Sequence, residues 1–176
     1  IMKVLIIGGG GLVGQKLARS LAARGTLRGQ AIDRMVLADI VDPAPVAAGF
    51  PVDTRLCDIA DPASVAAAVD ADVDVIYLLA AIVSAHAEED LDAGLRTNLF
   101  GSLNVLQRCR EIGTCPVLVF TSSIAVNGGD VPQPYSDYTA LNPQTSYGAQ
   151  KAMGELLVTD FSRRGLIDGR GFRLPT

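Results

Sequence analysis

Residues 3–14 read Lys-Val-Leu-Ile-Ile-Gly-Gly-Gly-Gly-Leu-Val-Gly, in which an aliphatic run passes through four consecutive glycines into a helix-forming segment. Continuous Val, Ile and Leu residues are typical of a strand that is covered on both faces. Glycines that follow a strand and open a helix let an anion approach the backbone, and the helix dipole favours its negative charge. Glycines alone can mark a tight turn, but this position between strand and helix favours a phosphate-binding loop.

The same alternation of strand and helix patterns continues along the chain. The predicted strands are 3–7, 34–40, 73–80, 116–121 and 171–174, all read as buried, with a short additional strand at 54–57. The predicted helices are 12–24, 61–69, 90–112 and 146–164, and residues 125–145 are predicted to form a long loop. This order indicates an α/β fold, a Rossmann-type doubly wound parallel sheet flanked by helices on both faces. We expect residues 1–176 to form one domain.

Composition narrows the range of partners. The formal net charge is −4 and there is no cluster of Lys and Arg, so we expect neither nucleic acid nor an anionic membrane as a partner. The chain carries no signal-peptide pattern and no segment long enough to span a bilayer, which predicts a cytoplasmic protein. The chain stops directly after its last predicted strand, and we therefore expect it to be cut short.

The cysteines and the histidine give no sign of a metal centre. Cys57, Cys109 and Cys115 are odd in number and widely spaced among apolar residues, so we expect them to fill core positions rather than form disulfides. His86 is the single histidine, and no cluster has the spacing of zinc ligands. We expect no metal.

A second informative pattern combines two serines with a Tyr and a Lys. Ser122 and Ser123 follow the predicted strand 116–121, at the edge where parallel sheets bind ligands, and Tyr147 and Lys151 lie one helical turn apart in 146–164. A free Tyr titrates near 10, and a nearby ammonium favours the phenolate. We therefore expect Lys151 to lower the pKa of Tyr147, which would make Tyr147 a general base. The alternative for Tyr147 is an aromatic residue packed on the core.

Two aspartates follow predicted strands on the other side of the sheet. Asp39 ends strand 34–40, where a carboxylate can accept hydrogen bonds from an adenosine ribose, which favours NAD over NADP. The alternative is a solvated loop residue, since residues 25–33 lengthen the usual spacing. Asp58 follows the short strand and can receive the adenine amino group, or it can cap a turn together with Asp61.

These residues resemble the extended short-chain dehydrogenase/reductase family, which includes NAD-dependent epimerases and dehydratases. Gly8, Gly11 and Gly14 match its nucleotide loop, and the match covers the whole chain. The resemblance implies that Tyr147 is the acid/base, that Lys151 bonds the nicotinamide ribose, and that Ser123 holds the substrate oxygen, with Ser122 shaping the loop. The predicted catalytic residues are therefore Ser123, Tyr147 and Lys151. The predicted cofactor contacts are Gly8, Gly11, Leu12, Val13, Gly14, Asp39, Asp58, Ile59, Leu79, Ala80, Ala81, Asn98, Tyr147, Lys151 and Pro175.

Asn98 matches a helical Asn that supports the site in this family, and its alternative is an amide on a helix surface. A closer likeness, carried by 120–126 and 143–176, is to family members that oxidise the 2-hydroxyl of a small sugar acid such as D-erythronate with NAD. Two alternatives stay open: a nucleotide-sugar epimerase or dehydratase that keeps its NAD bound, and a catalytically silent NAD-binding module. The resemblance also implies a small C-terminal substrate lobe absent from this chain, and a homodimer formed through the helices at 90–112 and 146–164.

Overall fold

The structure is a computed structural model that describes residues 2–175, so Ile1 and Thr176, the ends of the predicted domain, lie outside the described residues. The strands are β1 Lys3–Ile7, β2 Thr26–Leu27, β3 Gln30–Ala31, β4 Arg34–Asp39, β5 Val52–Leu56, β6 Val75–Leu78, β7 Val117–Ser123 and β8 Asp168–Leu174. The helices are α1 Leu12–Arg24, α2 Pro62–Ala68, α3 Ser84–Glu89, α4 Leu91–Gly94, α5 Ser102–Ile112 and α6 Ser146–Arg163. A π-helical segment, Leu95–Gly101, joins α4 to α5, and a 3₁₀ turn, Ile124–Val126, follows β7.

Six strands form one parallel sheet in the order β5-β4-β1-β6-β7-β8. The chain builds outward from β1 to β5 and then returns to the other side of β1 to continue with β6. The order therefore reverses between β1 and β6, and a crevice opens there at the carboxyl ends of the strands, where ligands bind in such sheets. This arrangement confirms the predicted fold class.

Side chains of β1 alternate between two cores, one on each face of the sheet. Leu5 and Ile7 pack in a cluster with residues of α2, α5 and α6, whereas Val4 and Ile6 pack in a second cluster with residues of α1. Because both faces are covered, the strand needs apolar residues at successive positions rather than at every second one. This explains why the first strand was evident from the sequence.

The structure differs from the sequence expectations at four places. The predicted helix 90–112 is interrupted by the π-helical segment and preceded by α3, and residues 25–33 contain the β2–β3 hairpin. Strand β8 is longer than predicted and is not buried, since it lies at a sheet edge and Phe172 is 56% exposed. Cys57 and Cys109 are buried as expected, but Cys115 is exposed because it lies in the turn before β7.

Among residues 2–175, no helix is both long enough and apolar enough to cross a membrane.

Candidate active site

The loop between β1 and α1 is packed so closely that a side chain at Gly8 or Gly14 would run into main-chain atoms. Gly8 has a φ of +93°, and a Cβ there would lie 2.7 Å from the backbone nitrogen of Ala80, just beyond β6. A Cβ on Gly14 would lie 2.1 Å from the carbonyl oxygen of Gly8. Gly11 differs, since the nearest neighbour of a Cβ there is the Gly8 oxygen at 3.5 Å. Gly8 and Gly14 therefore allow the turn to close, while Gly11 leaves space in front of the backbone.

The amides of this loop divide into two groups. Those of Gly8 and Gly9 donate to the carbonyl oxygen of Ala38, and the Gly11 amide donates to that of Gly8. The N-cap of α1 is Gly11, which supplies no side-chain cap, so the amides of the first turn, residues 12–14, have no capping side chain. Uncapped amides and the positive end of the helix dipole fit a pyrophosphate.

Asp39 ends β4 beside the glycine loop, as predicted. One carboxylate oxygen accepts from the Gly10 amide at 2.9 Å and the other from the Ile40 amide at 2.7 Å. The side chain is therefore held against the loop and is only partly exposed. A carboxylate in this position fits a ribose and disfavours an added phosphate, because like charges repel.

Asp58 is exposed and forms a turn, the alternative to an adenine contact. Its carboxylate accepts from the Ala60 amide at 2.9 Å, and its backbone nitrogen donates to the Ser64 hydroxyl at 3.0 Å. Asp61 is the side-chain cap of α2. Ile59 is buried at 3% exposure and packs beside Gly101, so its side chain faces the core.

A cavity of about 260 Å³ lies at the carboxyl ends of β6, β7 and β8, next to the glycine loop. It brings together seven of the predicted site residues: Val13, Leu79, Ala81, Ser123, Tyr147, Lys151 and Pro175. The remaining lining residues were not among the predicted contacts: Ile82, Val83, Thr121, Ser122 and Leu174. The sequence feature that could have identified them is their position, because each lies at or just beyond the end of a predicted strand.

The other predicted contacts do not line this cavity. They are Gly8, Gly11, Leu12, Gly14, Asp39, Asp58, Ile59, Ala80 and Asn98. The glycines, Leu12 and Asp39 lie around the loop at the end of β1, where a dinucleotide extends away from its reacting ring. Leu12 is 72% exposed there.

The two serines at the end of β7 have different partners. The Ser123 hydroxyl accepts a hydrogen bond from the Ala125 amide at 3.1 Å, and the Ser122 hydroxyl donates to Glu155 at 2.5 Å. Both serines are buried and both line the cavity. Ser122 donates its proton to a carboxylate, whereas the Ser123 hydroxyl accepts one hydrogen bond and retains a proton that it can donate.

Tyr147 and Lys151 lie in the first two turns of α6, which begins after the N-cap Thr145. The Lys151 ammonium is 5.7 Å from the centre of the Tyr147 ring and donates to the Thr121 carbonyl oxygen at 2.8 Å. Burial lowers the pKa of Lys151 to about 8, and burial raises the pKa of Tyr147. The expected lowering of the Tyr147 pKa is therefore not found in this structure, because burial disfavours the charged phenolate.

Asn98 is buried at 1% exposure within the π-helical segment, so the alternative of a surface amide is wrong. Its side-chain oxygen accepts from the Ile82 amide at 2.9 Å, and its nitrogen donates to the Ile82 carbonyl at 3.2 Å and to Gln150 at 2.8 Å. Asn98 thus fixes the backbone of a cavity-lining residue and has no face towards the cavity itself.

A larger depression of about 830 Å³ lies between α6 and β8. Glu155, Arg173 and Phe172 are among its lining residues, and Ser123, Tyr147 and Lys151 are not. The three predicted catalytic residues are therefore gathered around the smaller cavity.

The parallel sheet carries a glycine loop where the strand order reverses, and a Ser, a Tyr and a Lys lie around the adjoining cavity. These features define the class of dinucleotide-binding Rossmann proteins. The sequence profile of the NAD dependent epimerase/dehydratase family matches residues 4–176. The chain belongs to this family, which confirms the resemblance.

Two curated relatives are similar over 99% of this chain. The D-erythronate dehydrogenase of Cupriavidus necator is 51% identical over 186 residues, and that of Haemophilus influenzae is 41% identical over 175 residues. The chain spans 55% of the length of each. Among solved structures, a nucleoside-diphosphate-sugar epimerase from Agrobacterium tumefaciens is 45% identical with a TM-score of 0.93, and the match covers 99% of this chain and 53% of that one.

Proposed function

We propose that this chain is the NAD-binding and catalytic part of a dehydrogenase that oxidises the 2-hydroxyl of a small sugar acid such as D-erythronate. The observation that carries the proposal is the meeting of Ser123, Tyr147 and Lys151 around one cavity beside the glycine loop. The similarity to two D-erythronate dehydrogenases along nearly the whole chain supports this choice of substrate.

The residues around the glycine loop fit NAD. The amides of residues 12–14 would hold the pyrophosphate, Asp39 the adenosine ribose, and Lys151 the nicotinamide ribose. Bound NAD supplies the acceptor for the hydride that leaves the substrate carbon.

The side chains of this chain carry out the proton transfer. Tyr147 takes the proton of the substrate hydroxyl, and Ser123 donates a hydrogen bond to the same oxygen as its negative charge develops. Lys151, with a pKa of about 8, is mainly protonated at neutral pH and so favours the phenolate of Tyr147. Because burial raises the pKa of Tyr147, the rate of oxidation should increase as the pH rises above neutrality.

A second candidate is a nucleotide-sugar epimerase that keeps NAD bound through its cycle. The name and the 45% identity of the Agrobacterium tumefaciens structure favour it, and the same Tyr and Lys would serve that reaction. Release of NADH separates the two functions. Incubation of the complete protein with NAD and D-erythronate should produce free NADH, measured by absorbance, and interconversion of a nucleotide sugar without NADH release would favour the epimerase.

Three further features belong to the same proposal. A smaller lobe outside residues 1–176 would complete the substrate site, and the helices at 90–112 and 146–164 would form a homodimer interface. Leu91, Phe100 and Leu156 on these helices are more than half exposed, which supports such an interface. The cytoplasmic location stays a prediction from the sequence.

The Tyr147→Phe variant tests the proposed base. It should bind NAD within about threefold of the unaltered protein, since the ring stays in place, while turnover falls by roughly 10²–10⁴. Calorimetric titration with NAD and a steady-state assay measure the two quantities. Unchanged turnover would remove Tyr147 from the mechanism, and NAD binding without turnover in the unaltered protein would favour a catalytically silent module.

A further inference from the structure

The Glu155 carboxylate joins three elements of the fold at the edge of the active site. It lies on α6 one helical turn beyond Lys151. The Arg173 guanidinium of β8 donates to both of its oxygens at 2.9 Å, and the Ser122 hydroxyl of β7 donates to one of them at 2.5 Å. Helix α6 is therefore bonded to the last two strands of the sheet through one side chain.

The register of these strands places the contact next to the cavity. Ser122 pairs with Arg173 across β7 and β8, and the next pair is Ser123 with Leu174. Both residues of that next pair line the cavity. A shift of Ser122 or Arg173 is therefore passed through a single peptide unit to the residue that faces the substrate.

The ion pair differs from an ordinary surface pair. The side chains of Arg173 and Glu155 are 24% and 18% exposed, and the guanidinium uses two parallel hydrogen bonds. Burial by itself would raise the pKa of Glu155, but hydrogen bonds from Arg173 and Ser122 outweigh burial and lower that pKa. Bidentate, charge-assisted bonds of this kind define direction as well as distance.

The same helix is fastened to the same strand by two other contacts. Lys151 donates to the carbonyl oxygen of Thr121, the residue before Ser122. Gly154 lies so close to Phe120 that a Cβ on the glycine would be 2.6 Å from the ring. Helix α6 thus meets consecutive residues of β7, and little room remains for either element to slide.

We propose that Glu155 is a positioning residue that holds Ser123 and the end of β8 in register with Tyr147 and Lys151. The inference rests on the proposed function, because it concerns the alignment of that same site. Glu155 does not line the cavity of Ser123, Tyr147 and Lys151, and it acts through its hydrogen bonds with Ser122 and Arg173.

The test compares single and double variants of the complete protein. The variants are Glu155→Gln, Arg173→Gln and the double variant, and the matched control is Asp160→Asn. Asp160 lies on the same helix and pairs with Arg163 and Arg164 at the exposed surface, away from the cavity. The measurements are kcat, KM, NAD affinity, thermal unfolding and the primary deuterium isotope effect on the substrate carbon.

Glu155→Gln should lower kcat by roughly 10–100-fold, the loss expected when a reacting group is displaced by about 1 Å. The isotope effect should increase because hydride transfer becomes rate-limiting, and NAD affinity should stay within about threefold because the glycine loop is untouched. The double variant should lose no more than either single variant, since both remove one shared contact. Asp160→Asn should match the unaltered protein.

If Glu155 only stabilised the fold, Glu155→Gln would reduce activity in proportion to the folded fraction and leave the isotope effect and KM unchanged. This result would overturn the inference. Additive losses in the double variant would also overturn it. If the unaltered protein converts a nucleotide sugar instead of a hydroxy acid, the proposed function fails. The same comparison is then made on that reaction, where unchanged kcat in Glu155→Gln would remove the positioning role as well.

Discussion

Gly14 lets the loop pack closely, whereas Gly11 leaves space in front of the backbone. Substitution by Ala should therefore lower stability at Gly14 and NAD affinity at Gly11. A Cβ on Gly14 would lie 2.1 Å from the Gly8 oxygen, whereas real Cβ atoms essentially never approach closer than 3.0 Å. The backbone must therefore move by about 1 Å, and the atoms in the way are main-chain atoms that cannot rotate aside. Such overpacking costs about 1–3 kcal/mol.

The cost for Gly14→Ala should lie near the upper end of that range, offset by up to about 1 kcal/mol because Ala favours the helix. A net loss of about 2 kcal/mol corresponds to a Tm lower by about 4–8 °C in a domain of this size. For Gly11→Ala, the closest contact is 3.5 Å and the φ of −72° suits Ala. Its Tm should therefore change by about 2 °C or less, the effect of a poorer N-cap.

Binding of NAD should behave differently from stability. The methyl group of Gly11→Ala stands in front of the amides of α1, so NAD affinity should fall by about tenfold or more, roughly 1.4 kcal/mol. Circular dichroism on heating and calorimetric titration with NAD measure the two effects. A Tm of Gly14→Ala equal to that of the unaltered protein would refute the packing argument. An unchanged NAD affinity of Gly11→Ala would refute the assignment of the loop to the pyrophosphate.

Three more predictions follow from single contacts. Burial lowers the pKa of Lys151 from 10.5 to about 8, so between these values this residue makes stability rise with pH, whereas Cys57 and Cys109, whose pKa values are raised by burial, make stability fall. The buried charge costs about 3 kcal/mol below pH 8, so Lys151→Met should be more stable than the unaltered protein by about 1–3 kcal/mol at pH 7, and urea unfolding should show this difference shrinking as the pH rises towards 10.5. Gly154→Ala, with its Cβ 2.6 Å from the Phe120 ring, should lose about 1–3 kcal/mol, whereas Gly171→Ala, which meets nothing within 4 Å, should melt unchanged. Asp39→Asn removes the negative charge beside the ribose position, so the ratio of NADP to NAD affinity should increase by about tenfold; an unchanged ratio in parallel titrations would remove Asp39 from cofactor choice.

The sequence by itself determined the fold class and the location of the candidate site. The aliphatic run at residues 3–7, the glycines after it and the spacing of Tyr147 and Lys151 are local patterns, and local backbone preferences translate them directly into a strand, a turn and a helix face. Because parallel strands end at a common edge, the position of Ser123 after a strand was enough to place it near that helix.

The tertiary structure alone decided which residues meet and how their charges behave. Lys151 is 30 residues from Thr121 and Glu155 is 18 residues from Arg173, so no local spacing joins either pair. Burial depends on the packing of the whole domain, which is why the raised pKa of Tyr147 and the buried amide of Asn98 were not evident from the sequence. Sequence patterns describe neighbours along the chain, whereas desolvation and ion pairing depend on neighbours in space.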